Sequence, residues 1–173
     1  MSYDVLTISP TVSDAAHAAG DVIFNLTAVE LPARSCKLIN CFLEVASGGG
    51  EDDTKIGLLF FEKNTTASLG TLNATANISS ANFTANGYQG SVFLGLTDSD
   101  SKDLDVIDNV GLYYGMSQSQ YASSTRGGSG MESIVIKAEA AKPNTAYVAA
   151  VVHSGAPDFD GTANVKVHLH VEY

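Results

Sequence analysis

A chain of 173 residues is long enough to bury one substantial core, and the sequence predicts a single domain over residues 1–173. Hydrophobic residues make up 45% and charged residues only 16%, which excludes a disordered polar chain. Nine Lys and Arg stand against nineteen Asp and Glu, a formal charge of -10; a surface of that sign repels phosphate backbones and argues against direct nucleic-acid binding, while keeping the free protein in solution.

In chain order, the elements alternate apolar and polar residues over short runs broken by Gly, Asn, Asp and Ser, the period of half-buried strands. Tyr3 to Ile8 reads as a first strand. Ser13 to Ala19 predicts a short helical turn, with Ser13 as N-cap and Gly20 closing it. Asp21 to Leu31 alternates Val22, Phe24 and Leu26 against more polar neighbours until Pro32 stops it. In the next run Ile39, Cys41, Leu43 and Val45 fall on one face, ending at Gly48-Gly49-Gly50. Lys55 to Lys63 (KIGLLFFEK) is apolar on both faces, as expected of a central strand covered on both sides. Gly90 to Thr97, Val110 to Met116, Ser133 to Glu139, Tyr147 to His153 and Ala163 to Tyr173 bring the total to about nine strands. Three stretches read as loops: Gly48 to Thr54, the long polar excursion Asn64 to Gln89 with room for one short element, and Ser117 to Gly130, whose composition suits an exposed contact arm. Many short strands without a long 3.6-residue stripe predict an all-β, single-domain β-sandwich of jelly-roll type with long polar loops.

The two cysteines, Cys36 and Cys41, lie in one strand-like run. An odd separation points them to opposite faces, and about 3.3 Å per residue would set them roughly 16 Å apart, beyond the reach of a disulfide. Two free thiols are expected, Cys41 buried, consistent with synthesis in a reducing cytoplasm. No apolar run is long enough for a bilayer, and Met1 to Thr11 lacks the pattern of a secretion signal, so no membrane association is expected. The five Asn-x-Ser/Thr sequons, at Asn25, Asn64, Asn73, Asn77 and Asn82, then follow from composition alone.

No Gly-rich phosphate loop, GxSxG elbow or HExxH pair occurs, and none of His17, His153, His168 and His170 has a local Ser or Cys partner, so no enzyme, cofactor or catalytic residue is expected. In the last strand Val165, Val167, Leu169 and Val171 form the apolar face, leaving Lys166, His168, His170 and Glu172 on the other. Two His at i and i+2 can chelate a metal, and around a threefold axis could build an octahedral site; a polar outer face or wet subunit contact is the favoured reading. The only HxH pair has no carboxylate at the spacing a cupin-like metal triad needs. Asp98, Asp100, Asp103, Asp105 and Asp108 match no EF-hand spacing and read as a solvated acidic loop, and Asp158 and Asp160 before Gly161 read as turn residues. No metal site is expected. Tyr121 and Arg126 in the Ser117 to Gly130 loop, with His168 and His170, are the candidate subunit or shell contacts.

Three segments carry a resemblance. Ser13-Asp14-Ala15-Ala16-His17-Ala18-Ala19-Gly20-Asp21 has His17 where an aromatic Tyr would be expected; KIGLLFFEKN (Lys55 to Asn64) is followed by Thr65 and Thr66 without a proline; YVAAVVHS (Tyr147 to Ser154) precedes Ala156-Pro157-Asp158-Phe159 and a closing strand. Together these resemble the small β-sandwich structural proteins, of capsid decoration or cement type, of tailed bacteriophages. The resemblance implies a virion protein made in the host cytoplasm and carried on the capsid exterior. Its expected partners are the major capsid protein and further copies of itself, as a homotrimer. The alternative is a head-fibre, spike or tail module in which the Asn64 to Gln89 excursion and the loop bearing Tyr121 and Arg126 bind host-surface glycans.

Overall fold

The computed structural model of the chain describes residues 1–46, 54–65, 68–95, 110–115, 134–159 and 161–173. Its strands are β1 (Tyr3–Ile8), β2 (Val22–Glu30), β3 (Ser35–Ala46), β4 (Lys55–Phe61), β5 (Tyr88–Gly95), β6 (Val110–Gly115), β7 (Val135–Lys137), β8 (Thr145–Ser154) and β9 (Val165–Glu172), with one helix, α1 (Ser80–Ala85), before β5. Each of the nine predicted runs holds one of these strands.

The pairing defines the topology. All ladders are antiparallel, along the path β1-β9-β3-β6-β5-β4-β8-β2, with β7 beside the start of β3. With β7 set aside, the first strand pairs the last, the second the last but one, and so inward to the β4–β5 hairpin. That is a long hairpin wound on itself, the jelly roll expected from the sequence. It makes two four-stranded layers, β1-β9-β3-β6 and β5-β4-β8-β2, stitched at one end where Leu94 and Gly95 pair Gly115 and Tyr114. Between the layers lies a core that includes Phe24, Leu38, Leu43, Ile56, Leu58, Phe60, Phe159 and the inward residues of β8 and β9. Burying one such Phe or Leu contributes about 1.5–3 kcal/mol.

β4 alternates Ile56, Leu58 and Phe60 into this core with Leu59 and Phe61 on the opposite face, as its two-sided apolarity predicts. The second face is covered by the polar excursion. Leu69, Leu72, Ile78 and Phe83 fold back onto Val22, Leu26, Phe61, Tyr147 and Ala149 and close a second apolar cluster. Main-chain bonds hold them there: Asn73 N–H donates to Val22 O, Val22 N–H to Ala74 O and Ala76 N–H to Gly20 O, at 2.9 to 3.0 Å. Asn25 clamps the same segment, accepting from Leu69 N–H and donating to Gly70 O, both at 2.9 Å. The excursion also contains α1, capped by Ser79, whose hydroxyl accepts from Asn82 N–H.

Three local expectations are corrected. Residues 13–19 form no helix: His17 N–H donates to Pro157 O and Ala18 N–H to the Asp21 carboxylate, so their donors are spent on tertiary and turn contacts. In β2, register shifts on either side of Phe24 turn that ring into the inter-layer core while Val22 and Leu26 face the excursion. In β3, the register against β9 steps from Leu38–Val171 to Asn40–His170, leaving Ile39 as an extra residue. Upstream of that bulge the faces exchange, so Cys36 and Leu38 are buried and Ile39 is 41% exposed. Cys36 and Cys41 therefore point to the same side; both are buried free thiols.

Candidate interaction face

The excursion covers part of the outer side of β5-β4-β8-β2; among the described residues nothing covers the outer side of β1-β9-β3, where the strand register lays the residues out in rows. The first row runs Tyr3, Glu172, Lys37 and Val135 across β1, β9, β3 and β7. The next holds Val5, His170 and Asn40, and the third Thr7, His168 and Phe42. Lys166 and Glu44 close the face. Tyr3 and Val5 on β1 are 57% and 43% exposed, and Val135 on β7, across the face, is 47% exposed.

Both predicted His contacts sit at the centre. His168 stacks on Phe42, ring centroids 4.4 Å apart and planes 17° from parallel. Its Nε2 lies 2.9 Å from Glu44 Oε2, and a carboxylate only accepts, so Nε2 carries the proton. In the neutral ring Nδ1 then accepts from the Thr7 hydroxyl at 3.1 Å. Glu44 also pairs with Lys166 Nζ at 2.8 Å; that hydrogen bond foremost, opposed by desolvation and helped by His168, holds the Glu44 carboxyl below its usual range. His170 Nδ1 hydrogen-bonds the Tyr3 hydroxyl, and its ring lies 5.6 Å from that of Phe42. Chelation by both rings would break the Thr7 or Glu44 bond of His168, and among the described residues no three His, Cys, Asp or Glu side chains converge on a metal-sized site. The face offers aromatic stacking surface, fixed hydrogen-bonding groups and, on β9 and β3, two charges of each sign, with Lys137 at the β7 edge.

Tyr121, Arg126 and the Asp98 to Asp108 segment lie outside the described residues. His17 is elsewhere, buried edge-on against Phe159 at 5.2 Å. His153 packs against Phe93 at 5.1 Å. A shallow cleft of about 280 Å³ opens beside Arg34, Glu62 and Lys137 at the far end of β3. Sequence reasoning found the two His but missed Tyr3, Val5, Thr7, Phe42 and Glu44. Phe42 was legible, since an aromatic between Cys41 and Leu43 must lie on the face opposite the core.

No family model matches this chain, and no curated protein matches it either. Among the described residues no helix is long and apolar enough to cross a membrane.

Proposed function

We propose that the chain is a bacteriophage virion structural protein, a decoration or cement protein that binds the outer surface of the major capsid shell and stabilises it. The observation that carries this reading is the asymmetry of the two layers. One is partly covered by the chain's own excursion, and the other presents, uncovered by any described residue, the ordered, partly apolar face of Tyr3, Val5, Phe42, His168 and His170. A jelly roll whose interaction chemistry lies on the outer face of a sheet suits contact with another protein surface better than enclosure of a small molecule, which needs a concave site. The excursion assigned to glycan recognition in the alternative reading spends Leu69, Leu72, Ile78 and Phe83 on packing, which favours the shell-binding reading.

The experiment is quantitative mass spectrometry of purified particles, with binding of the recombinant protein to shells that lack it. Copy numbers that follow capsid symmetry, and shells that resist heat better once coated, support the proposal. A few copies per particle, or no binding to bare shells, refutes it.

A further inference from the structure

We infer that the β1-β9-β3 face docks against the same face of a second copy of this chain, about a twofold axis in the plane of the contact, parallel to the strands and between β9 and β3. The argument begins with charge. The molecule carries a formal charge of -10, yet the β9 and β3 residues of this face bring two Lys, 37 and 166, against two Glu, 44 and 172, and β7 adds Lys137 at its edge. It is a surface on which two acidic copies can meet without the repulsion that opposes contact elsewhere. Lys166 and Glu44 already pair within the chain, whereas Lys37 and Glu172, neighbours across β3 and β9, make no ion pair among the described residues. A lone cation beside a lone anion is what a self-complementary contact requires, because each residue then meets the other's counterpart twice.

The register makes this specific. The proposed axis lays β3 of one copy over β9 of the other and keeps the rows together. Lys37 then meets Glu172 of the second copy, and Phe42 meets the stacked pair formed by the other Phe42 and His168. In the first row it also brings exposed Tyr3 over exposed Val135. Long Lys side chains accommodate the offset that sheet twist introduces between aligned layers. Rows about 7 Å apart on strands about 4.8 Å apart give a patch of roughly 20 Å by 20 Å. That is about 400 Å² per copy and about 800 Å² in total, below the roughly 1,200 Å² of small specific interfaces, so the dimer should dissociate readily on dilution.

The inference rests on reading this face as an interaction surface, but not on a shell being its partner; the weak dimer is the unbound form, and a shell would take the same face after the copies part. It is tested by sedimentation velocity and light scattering of the full chain over a concentration series. Wild type is expected to move from one-chain to two-chain mass as concentration rises. Lys37→Glu and Glu172→Lys, each with unchanged thermal unfolding, are each expected to weaken association at least tenfold, since every contact becomes like-charged twice over. An equimolar mixture of the two variants, and the double variant Lys37→Glu/Glu172→Lys alone, are expected to regain the two-chain mass. Wild type remaining at one-chain mass, a three-chain mass indifferent to the substitutions, or single variants that do not recover on mixing would each overturn the inference. A one-chain protein that coats shells, with coating lost in Lys37→Glu and not regained in the double variant, would overturn self-association and leave the decoration reading standing.

Discussion

Replacing Asn25 by Ala tests whether the polar excursion is a structural cover. The Asn25 amide is the only side chain that ties both Leu69 N–H and Gly70 O to β2, each at 2.9 Å, among the described hydrogen bonds. Its removal leaves one donor and one acceptor without those partners beside a fully buried Leu69, and the 3.5 Å contact from the Ser68 hydroxyl to Gly70 O is too long to compensate. Orphaned buried groups cost about 1–3 kcal/mol each, and partial hydration at this half-buried edge should recover some of that, leaving about 2–3 kcal/mol. Because the cost falls on the segment that closes the second cluster, it should appear first as local opening. Hydrogen exchange read peptide by peptide is the assay. A loss of 2–3 kcal/mol corresponds to amides at Leu69, Asn73 and Asn77 exchanging about 30- to 150-fold faster. The β3–β9 ladder should change only as far as global stability does. Uniform acceleration across both layers, or no selective change at 68–77, would refute the idea that Asn25 pins the cover.

Deletion of Ile39 removes the extra residue of the β3 bulge and leaves Cys36, Leu38, Cys41, Leu43 and Val45 in strict alternation, so thermal unfolding should shift by no more than a few degrees; collapse of the fold would show that the bulge is required. Gly155→Ala should cost about 2–5 kcal/mol by denaturant titration, since φ there is +85° and an added Cβ would stand 2.5 Å from Thr54 Oγ1 and 2.7 Å from Thr54 Cα. Neither cysteine should react with a thiol reagent in the folded protein, Cys41 least of all because burial pushes its thiol up to about 12; rapid native-state labelling of Cys36 would contradict the bulge. Burial lowers the His17 pKa below 6.5, against opposing contributions from the Pro157 carbonyl and Asp21. The unfolded chain therefore takes up a proton that the folded chain resists, and the stability His17 confers is complete above pH 6.5 and lost as pH falls below it; His17→Phe should flatten that slope in pH-dependent unfolding.

Strand positions were legible because period-two alternation is a local property, and KIGLLFFEK announced a strand buried on both faces by its own composition. The bulges at Phe24 and Ile39 were not, since each is a difference between two strands distant in sequence and nothing local marks the extra residue. The packing role of the excursion was not legible for a related reason. Its apolar residues, Leu69, Leu72, Ile78 and Phe83, are spread among Asn, Thr and Ser at no regular period, and only the sheet beneath collects them. Residues 13–19 failed as a helix because seven residues without a packing face are marginal, and Pro157 and Asp21 offered their amides other partners. Of the face, His168 and His170 could be read from alternation in β9, but their neighbours belong to β1 and β3 and are joined only by register.

The bulge at Ile39 links the core to the face. Counting back from Cys41 with residue 39 paired in plain alternation would turn Lys37 inward and Cys36 and Leu38 to solvent; because the bulge leaves residue 39 out of the register, Lys37 stands beside Glu172. A strand lacking residue 39 would reach the same inward set by plain alternation, which means the insertion adds nothing to the core. What it adds is one exposed apolar side chain next to Asn40, in a row that otherwise offers only Val5 and His170. Fold and association therefore assign Ile39 opposite weights: its loss should scarcely move the unfolding transition while weakening whatever contact this face makes.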